Sequence, residues 1–456
     1  MHDLTIGVAM FKKHFFGLYL IIISCVAVIR ADFLVAPNEL LHPLRFDLMA
    51  KYIYAKQREL KVESSFAYDL YAAHLLAMND CFYEELPVKN SLQDYLVAFH
   101  RILDSMKKTG YQKAACVNLP ITVRKSNNSL ENLYYCDGSH RVSACLLYQQ
   151  KVVVDRIEAS NFLPPYNYQF LRCKNLAEKY LDAMALEYCK ISAKTFLAFV
   201  FPRFNQDIAQ VYKLLGGSEK IVYTKTVCFD KIQGQMNLLE QLYSGWNSYT
   251  PGAMHDWQGY FPADSDGMVT VFLFENDSLA EVKKIKEQIR TMAGSHFAVH
   301  TTDDVAETLA MAKLIFVANS LHFLNQRKFG KQPNFEKFLT LYQAWLTTNQ
   351  VDQDCFCVDG SAIMAAYGLR DCRDLDFLHH GYDNLLVQLK TEEIASHNAE
   401  MQYHSKTKDE IIFDPDNYFY YKGLKFGALN IIKAMKTLRA EVPKDLKDLE
   451  LISDLT

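Results

Sequence analysis

Apolar residues recur at helical spacing from about residue 40 to 110. In residues 91–108, Leu92, Tyr95, Leu96, Phe99, Ile102, Leu103 and Met106 share one helical face. Ser91 with Asp94 has the form of a capping box, and Gly110 supplies a stop. The pattern predicts a helix whose apolar face lies in a core. Beyond Ala114 the periods shorten. Residues 116–123 read as a strand with Pro120 near an edge, 127–129 as a turn and 133–136 as a strand. Asp137-Gly138-Ser139 breaks that strand. A helix follows over 140–148, with Val142, Cys145 and Leu146 at core spacing, then a strand over 152–157.

Leu163-Pro164-Pro165-Tyr166 punctuates the chain as a linker or turn. Residues 168–188 read as helix. Residues 196–201 are apolar throughout, which predicts a strand buried on both faces. A long loop is expected over 244–266. A strand over 268–274, a helix over 279–292, a strand over 297–300 and a helix over 304–317 then alternate, which predicts βαβ units. Further on, 356–358 read as a strand, Gly360-Ser361 as a turn opening a helix over 362–367, and Gly368 as its end. Leu375 and Phe377 alternate with Asp374 and Asp376, which puts both aspartates on one strand face. No repeat and no low-complexity tract interrupts the pattern.

Of the 456 residues, 50% are hydrophobic and 22% charged, as in packed globular chains, and the length predicts two or three domains. The net charge of -4 and the lack of a long Lys/Arg block argue against nucleic acid as the main ligand. The eleven cysteines form no CxxC and no zinc-finger spacing with histidine, so reduced core thiols and a reducing compartment are expected. The N-terminus points the other way. Lys12-Lys13-His14 precede an apolar run over 15–29, which reads as a signal peptide or signal anchor. That implies membrane attachment or the secretory pathway, and a cytoplasmic chain if the segment is a misassigned start.

Two carboxylates on one strand face repel unless they share a cation, for which magnesium or manganese is the natural choice. A Gly-Ser turn at a helix start offers free N–H groups to an anion. Together these are the parts of phosphoryl or nucleotidyl transfer. The segment resembles the nucleotidyltransferase superfamily, whose motif runs Gly, Gly or Ser, a spacer, then acid, hydrophobic, acid, hydrophobic. Here that is Gly360, Ser361, twelve residues, then Asp374, Leu375, Asp376 and Phe377. The resemblance implies that Gly360 and Ser361 contact phosphate and that Asp374 and Asp376 bind metal and act in catalysis. The C-terminal segment is similar to the end of small members, with Lys425, Lys433, Lys436, Lys444, Asp445 and Asp448 at the matching positions, which implies nucleotide contacts from the lysines. The family also carries a third acid on a later strand. Asp414, after Ile411-Ile412-Phe413, is the candidate, with Asp409 and Glu410 competing. Without one, the site would bind nucleotide without turning it over.

Asp137, Gly138, Ser139, His140 and Arg141 form a second constellation at a strand-to-helix turn. It resembles the ParB and sulfiredoxin-like fold, which implies a nucleotide or phosphate site, and some relatives are kinases of small molecules. In Asn319 to Asn325, His322 and Asn325 are candidates to line a pocket, with a satisfied structural histidine the preferred reading. The whole order, including RFDLMAKYIYAKQREL near the start, is similar to uncharacterised proteins of surface-polysaccharide loci. That implies a sugar, polyol or glycan acceptor beside the nucleotide.

The expected fold class is α/β (α+β). A leader over 1–32 precedes a helical cap with a ParB-like domain over 33–166. An α/β middle region follows over 167–330, and a nucleotidyltransferase-like mixed sheet with helices over 331–456. The expected function is metal-dependent nucleotidyl or phosphoryl transfer. The alternatives are a ParB-fold kinase with a regulatory C-terminal domain, a non-catalytic nucleotide-binding protein and a secreted interaction factor.

Overall fold

The computed structural model describes residues 33–79, 84–85, 88–110, 122–125, 133–135, 138–154, 156–158, 166–243, 256–330, 332–386, 393–441 and 443–455. The apolar run over 15–29 and Asp137 lie outside them. The fold is mixed α/β, and the chain divides into two compact units. The smaller comprises residues 1–40 and 101–164, the larger 41–100 and 165–456. No helix among the described residues is long and apolar enough to cross a membrane.

In the smaller unit, Phe33–Val35 pairs antiparallel with Val152–Val154. Thr122–Lys125 pairs antiparallel with Leu133–Tyr135 and parallel with Arg156–Glu158. The single strand expected over 152–157 is therefore two, because its halves hydrogen-bond to different partners. Helix Ser139–Tyr148 buries Val142, Cys145 and Leu146.

Helix Leu92–Thr109 forms where the pattern predicts. Ser91 Oγ donates to the Asp94 carboxylate at 2.9 Å, and the Asp94 N–H returns a bond to Ser91 Oγ at 3.2 Å. The second bond satisfies a donor that the first turn leaves open, and the Asp94 carboxylate also accepts the Asn90 N–H at 3.0 Å. Gly110 closes the other end at φ +70°. The helix buries Tyr95, Leu96, Phe99, Leu103 and Met106.

Besides the short antiparallel pair Glu84–Glu85 and Val88–Lys89, the described residues of the larger unit form a four-stranded and a five-stranded sheet. In the first, β1 (Thr195–Val200), β2 (Ile221–Cys228), β3 (Met268–Glu275) and β4 (Val299–Thr301) lie in the order β4-β1-β3-β2. Every neighbouring pair is antiparallel, so the simple βαβ units expected from the alternation are absent. β1 and β2 run parallel, but β3 is inserted between them; likewise β1 separates β3 from β4. These are two interleaved split βαβ units. The buried run of β1 reflects its central place. The helix expected over 168–188 is broken into Tyr168–Cys173 and Glu178–Ile191, with Asn175 at φ +61° in the joint.

The second sheet contains β5 (Phe356–Asp359), β6 (Leu375–His379), β7 (Ile394–Ser396), β8 (Tyr418–Tyr421) and β9 (Leu424–Gly427), ordered β7-β6-β5-β9-β8. It is mixed: β5 runs antiparallel to β6 and parallel to β9, and β7 runs parallel to β6. Helix Pro333–Thr348 packs on it, with the Tyr342 ring 5.1 Å from that of Phe377. Lys422 and Gly423, both at positive φ, close the β8–β9 hairpin.

A buried polar group opens the larger unit. Asp47 accepts from Arg45 Nε at 2.9 Å and Lys51 Nζ at 3.1 Å. Burial alone would raise its pKa, but the two cations hold it well below the carboxylate range. His74 is wholly buried beside them, and neither ring nitrogen has a hydrogen-bond partner among the described residues. Burial, helped by Lys51, lowers its pKa to about 3. A histidine kept neutral in the fold but protonated when unfolded stabilises above its unfolded pKa. That contribution is lost as pH falls below about 6.5, down to about 3. Between pH 7 and 5 the loss comes to roughly 2 kcal/mol. His74→Met should therefore show an unfolding free energy less sensitive to pH by about that amount. Equal pH slopes for variant and wild type in denaturant titrations would refute this.

Candidate functional site

The candidate site is built on the β5–β6 pair. β5 ends at Asp359, directly across from Asp376 on β6. Gly360 then turns the chain at φ +64°, ψ -143°, close to a region that only glycine enters without strain. Ser361 opens a short helix, Ser361–Ala366. A Cβ on Gly360 would sit 2.7 Å from Asp376 Oδ2, so the missing side chain leaves the space that the Asp376 carboxylate fills. The Gly-Ser turn and the acidic strand are thus in direct contact.

Leu375 and Phe377 are buried, while Asp374 and Asp376 are half-buried. Burial raises the Asp376 pKa; His397 opposes this, and Asp374 and Asp359 add to it, with a net rise to about 6. Lys444, exposed at the start of helix Lys444–Ser453, also acts on Asp376. Asp359 is almost fully buried. Burial would raise its pKa, but hydrogen bonds from His397 and His404 hold it well below the usual range.

His397 joins the two acids. Its Nδ1 lies 3.3 Å from Asp359 Oδ2 and its Nε2 3.2 Å from Asp376 Oδ1. Both ring nitrogens can donate only in the imidazolium form. Burial disfavours that form, but the bond to Asp359 and the charge of Asp376 prevail, and its pKa is raised. His404 Nε2 reaches the same Asp359 oxygen at 3.1 Å, while Asp359 Oδ1 has no partner among the described residues.

Asp359, His397 and His404 were not among the residues singled out from the sequence. Asp359 stands between Gly360 and the strand read over 356–358, which itself extends to Asp359. His397 has no local signal. It arrives because β7 pairs parallel with β6, setting Ala395 opposite Asp376.

The acids proposed as a third member are engaged elsewhere. Thr407 and Glu410 form a capping box, so Ile411-Ile412-Phe413 closes a helix, Lys408–Phe413, and not a strand. Asp414 follows that helix and accepts from the Asp416 N–H at 3.0 Å. Asp409 accepts from the Glu63 N–H and meets His380 Nδ1, each at 2.8 Å. The acids that act most on Asp376 are Asp374 and Asp359.

The C-terminal lysines also part company. Lys444 reaches the acid pair through its charge on Asp376. Lys425 is buried, and its ammonium donates to the Asp354 and Ile412 carbonyls, both at 2.7 Å. Lys436 is also buried, 3.2 Å from Asp445 and 2.6 Å from Asp448. Asp448 binds Arg370 of the spacer loop at 2.6 Å, and Asp371 accepts the N–H groups of Asn334 and Phe335. These bonds anchor the loop that delivers Asp374. Lys436, Asp445 and Asp448 are therefore a buried support, not open nucleotide contacts.

In the smaller unit Gly138 adopts φ +90° before helix Ser139–Tyr148. Ser139 and His140 are half-buried and Arg141 is buried. In the larger unit His322 Nδ1 lies 3.3 Å from the Tyr367 hydroxyl, and Asn325 donates to the Cys228 carbonyl at 3.3 Å.

Among the described residues no three His, Cys, Asp or Glu side chains are grouped to hold a metal ion by themselves. Asp374 and Asp376 are half-buried, and burial first, then the nearby acids, raises the Asp376 pKa, a cost that a bound cation would relieve. Magnesium commonly takes one or two carboxylates and fills its shell with water and substrate phosphate. No protein-family model matches the chain, and neither does any curated protein or solved structure.

Proposed function

We propose that the site around Gly360, Ser361, Asp374 and Asp376 transfers a nucleotidyl or phosphoryl group. The donor is a nucleotide or nucleotide-activated compound, and the acceptor a sugar, polyol or glycan. The observation that carries this reading is the contact between the Gly360 turn and the Asp376 carboxylate, which joins an anion-binding turn to an acidic strand face. Asp374 and Asp376 would hold magnesium or manganese, whose chemistry is to neutralise charge on the transferring phosphate. Ser361 and the free N–H groups of its helix turn orient the phosphate. His397 keeps Asp376 in position by holding it against Asp359. Lys444 adds positive charge at the open side.

Calorimetric titration with each nucleoside triphosphate, with magnesium and then with EDTA, tests the reading. The wild type should bind one of them more tightly with magnesium. Asp376→Asn should lose that gain, at least about tenfold in affinity, while keeping its circular dichroism. Binding that is indifferent to metal, or an unaffected variant, would sink the proposal.

A second reading, nucleotide binding without turnover, is favoured by the use of Asp414 as a cap. Release of pyrophosphate or nucleoside diphosphate with sugar and polyol acceptors separates the two. Membrane attachment through residues 15–29 belongs to the same proposal, and carbonate extraction of membranes from expressing cells tests it.

A further inference from the structure

Another group of charges in the larger unit is built from different elements. Lys56 comes from helix Leu48–Leu60, Glu187 and Lys190 from Glu178–Ile191, Asp354 from the turn before β5, and Lys425 from β9. With Tyr418 they line a cavity of about 60 Å³, whose other lining residues include the apolar Leu186 and Phe316. That is several times the space one water needs, and it limits a ligand to a few heavy atoms.

The charges do not balance. Lys56 lies 3.1 Å from Glu187 and 3.0 Å from Asp354. Lys190 lies 2.7 Å from Asp354 and 3.2 Å from Glu187. Two acids thus answer two lysines. Lys425 meets carbonyls and the faces of Tyr418 and Phe413, 4.6 Å and 5.6 Å from their centroids. Lys313 donates to the Gly423 carbonyl at 2.9 Å and lies 5.1 Å from the Tyr420 ring. Among the described residues, neither has a carboxylate within ion-pair distance. Around the cavity three ammonium groups, of Lys56, Lys190 and Lys425, therefore face two carboxylates, while Lys313 stands outside the lining and Asp352 acts through space on it and on Lys56; a buried charge without a partner is strongly unfavourable. Burial pulls Lys313 down to about 8, with Asp354 opposing and Lys190 and Lys425 adding to the fall, and burial lowers Lys425 against the pull of Asp354. Carbonyls and ring faces offset part of the cost; an anion in the cavity would offset the rest.

We propose that this cavity binds a small oxyanion, a carboxylate or inorganic phosphate, held by Lys425 and Lys190 with any short apolar tail against Leu186 and Phe316. The site is independent of the Gly360 turn, and the inference does not rest on the transfer function proposed above.

Titrating the full chain with sodium phosphate, acetate and butyrate, at constant ionic strength against chloride, tests it. One saturable equivalent is expected. Lys425→Met should weaken binding at least about tenfold. Glu187→Gln removes a negative wall and should tighten it. Lys422→Met, at the exposed hairpin, should leave it unchanged. Butyrate binding more tightly than acetate would identify a carboxylate with a tail; phosphate binding most tightly would identify phosphate. No saturable binding, or equal affinity in Lys425→Met and wild type, overturns the proposal. If Lys425→Met does not fold, Glu187→Gln decides: unchanged or weaker binding overturns it.

Discussion

Gly360→Ala is expected to abolish magnesium-dependent nucleotide binding and to destabilise the larger unit by about 2–4 kcal/mol. Two causes add. At φ +64°, ψ -143° an alanine is strained, which by itself costs roughly 1–3 kcal/mol. Its Cβ would also lie 2.7 Å from Asp376 Oδ2, so the carboxylate must move. Asp376 is held from the other side by His397 and cannot swing away without breaking that bond. The acid pair and the turn would then no longer meet. Asp376→Gly added to Gly360→Ala should restore part of the stability, by removing the clash, but none of the binding. Denaturant titration and calorimetry on both variants check this. An alanine variant that binds nucleotide as the wild type does would show that the geometry of the turn is immaterial to the site.

Lys436→Met should cost about 3 kcal/mol or somewhat more, among the largest effects of any single change outside the apolar core. The lysine is 1% exposed, and its removal leaves the buried carboxylates of Asp445 and Asp448 without their shared ammonium. Breaking a buried pair typically costs roughly 3–5 kcal/mol. The lower end applies here because Arg439 still holds Asp445 at 2.6 Å and Arg370 still holds Asp448 at 2.6 Å. Because Arg370 belongs to the loop that delivers Asp374, nucleotide affinity should fall less steeply than stability. A variant with wild-type stability and lost binding would reverse the assignment and return Lys436 to the ligand.

Periodicity carried much of the local structure. Helix Leu92–Thr109 was legible because its cap, its stripe and its glycine stop all lie within one segment. The β5–turn–helix–β6 order was legible for the same reason: Gly360, Gly368 and the alternation at Leu375 and Phe377 are local signals. Where local signals competed, the reading failed. Ile411-Ile412-Phe413 resembles a strand by composition, but the capping box at Thr407 starts a helix first. Strand alternation with helices predicted parallel pairing, yet β3 inserts between β1 and β2, a choice made by distant segments.

By itself, then, the sequence determined that a glycine-serine turn opens a helix and that a strand carrying Asp376 follows, with Asp374 just before it. Each of those features follows from backbone preference and period over a few residues. Only the tertiary structure decided which acids and bases surround Asp376. His397 reaches it through the pairing of β7 with β6, Asp359 through the register of β5 with β6, and Lys425 is withdrawn into a lysine-lined cavity. The physical reason is that burial and opposite charge act through space. A lysine's role depends on which carboxylates and carbonyls the fold brings within about 3 Å of its nitrogen, and sequence spacing carries no record of that.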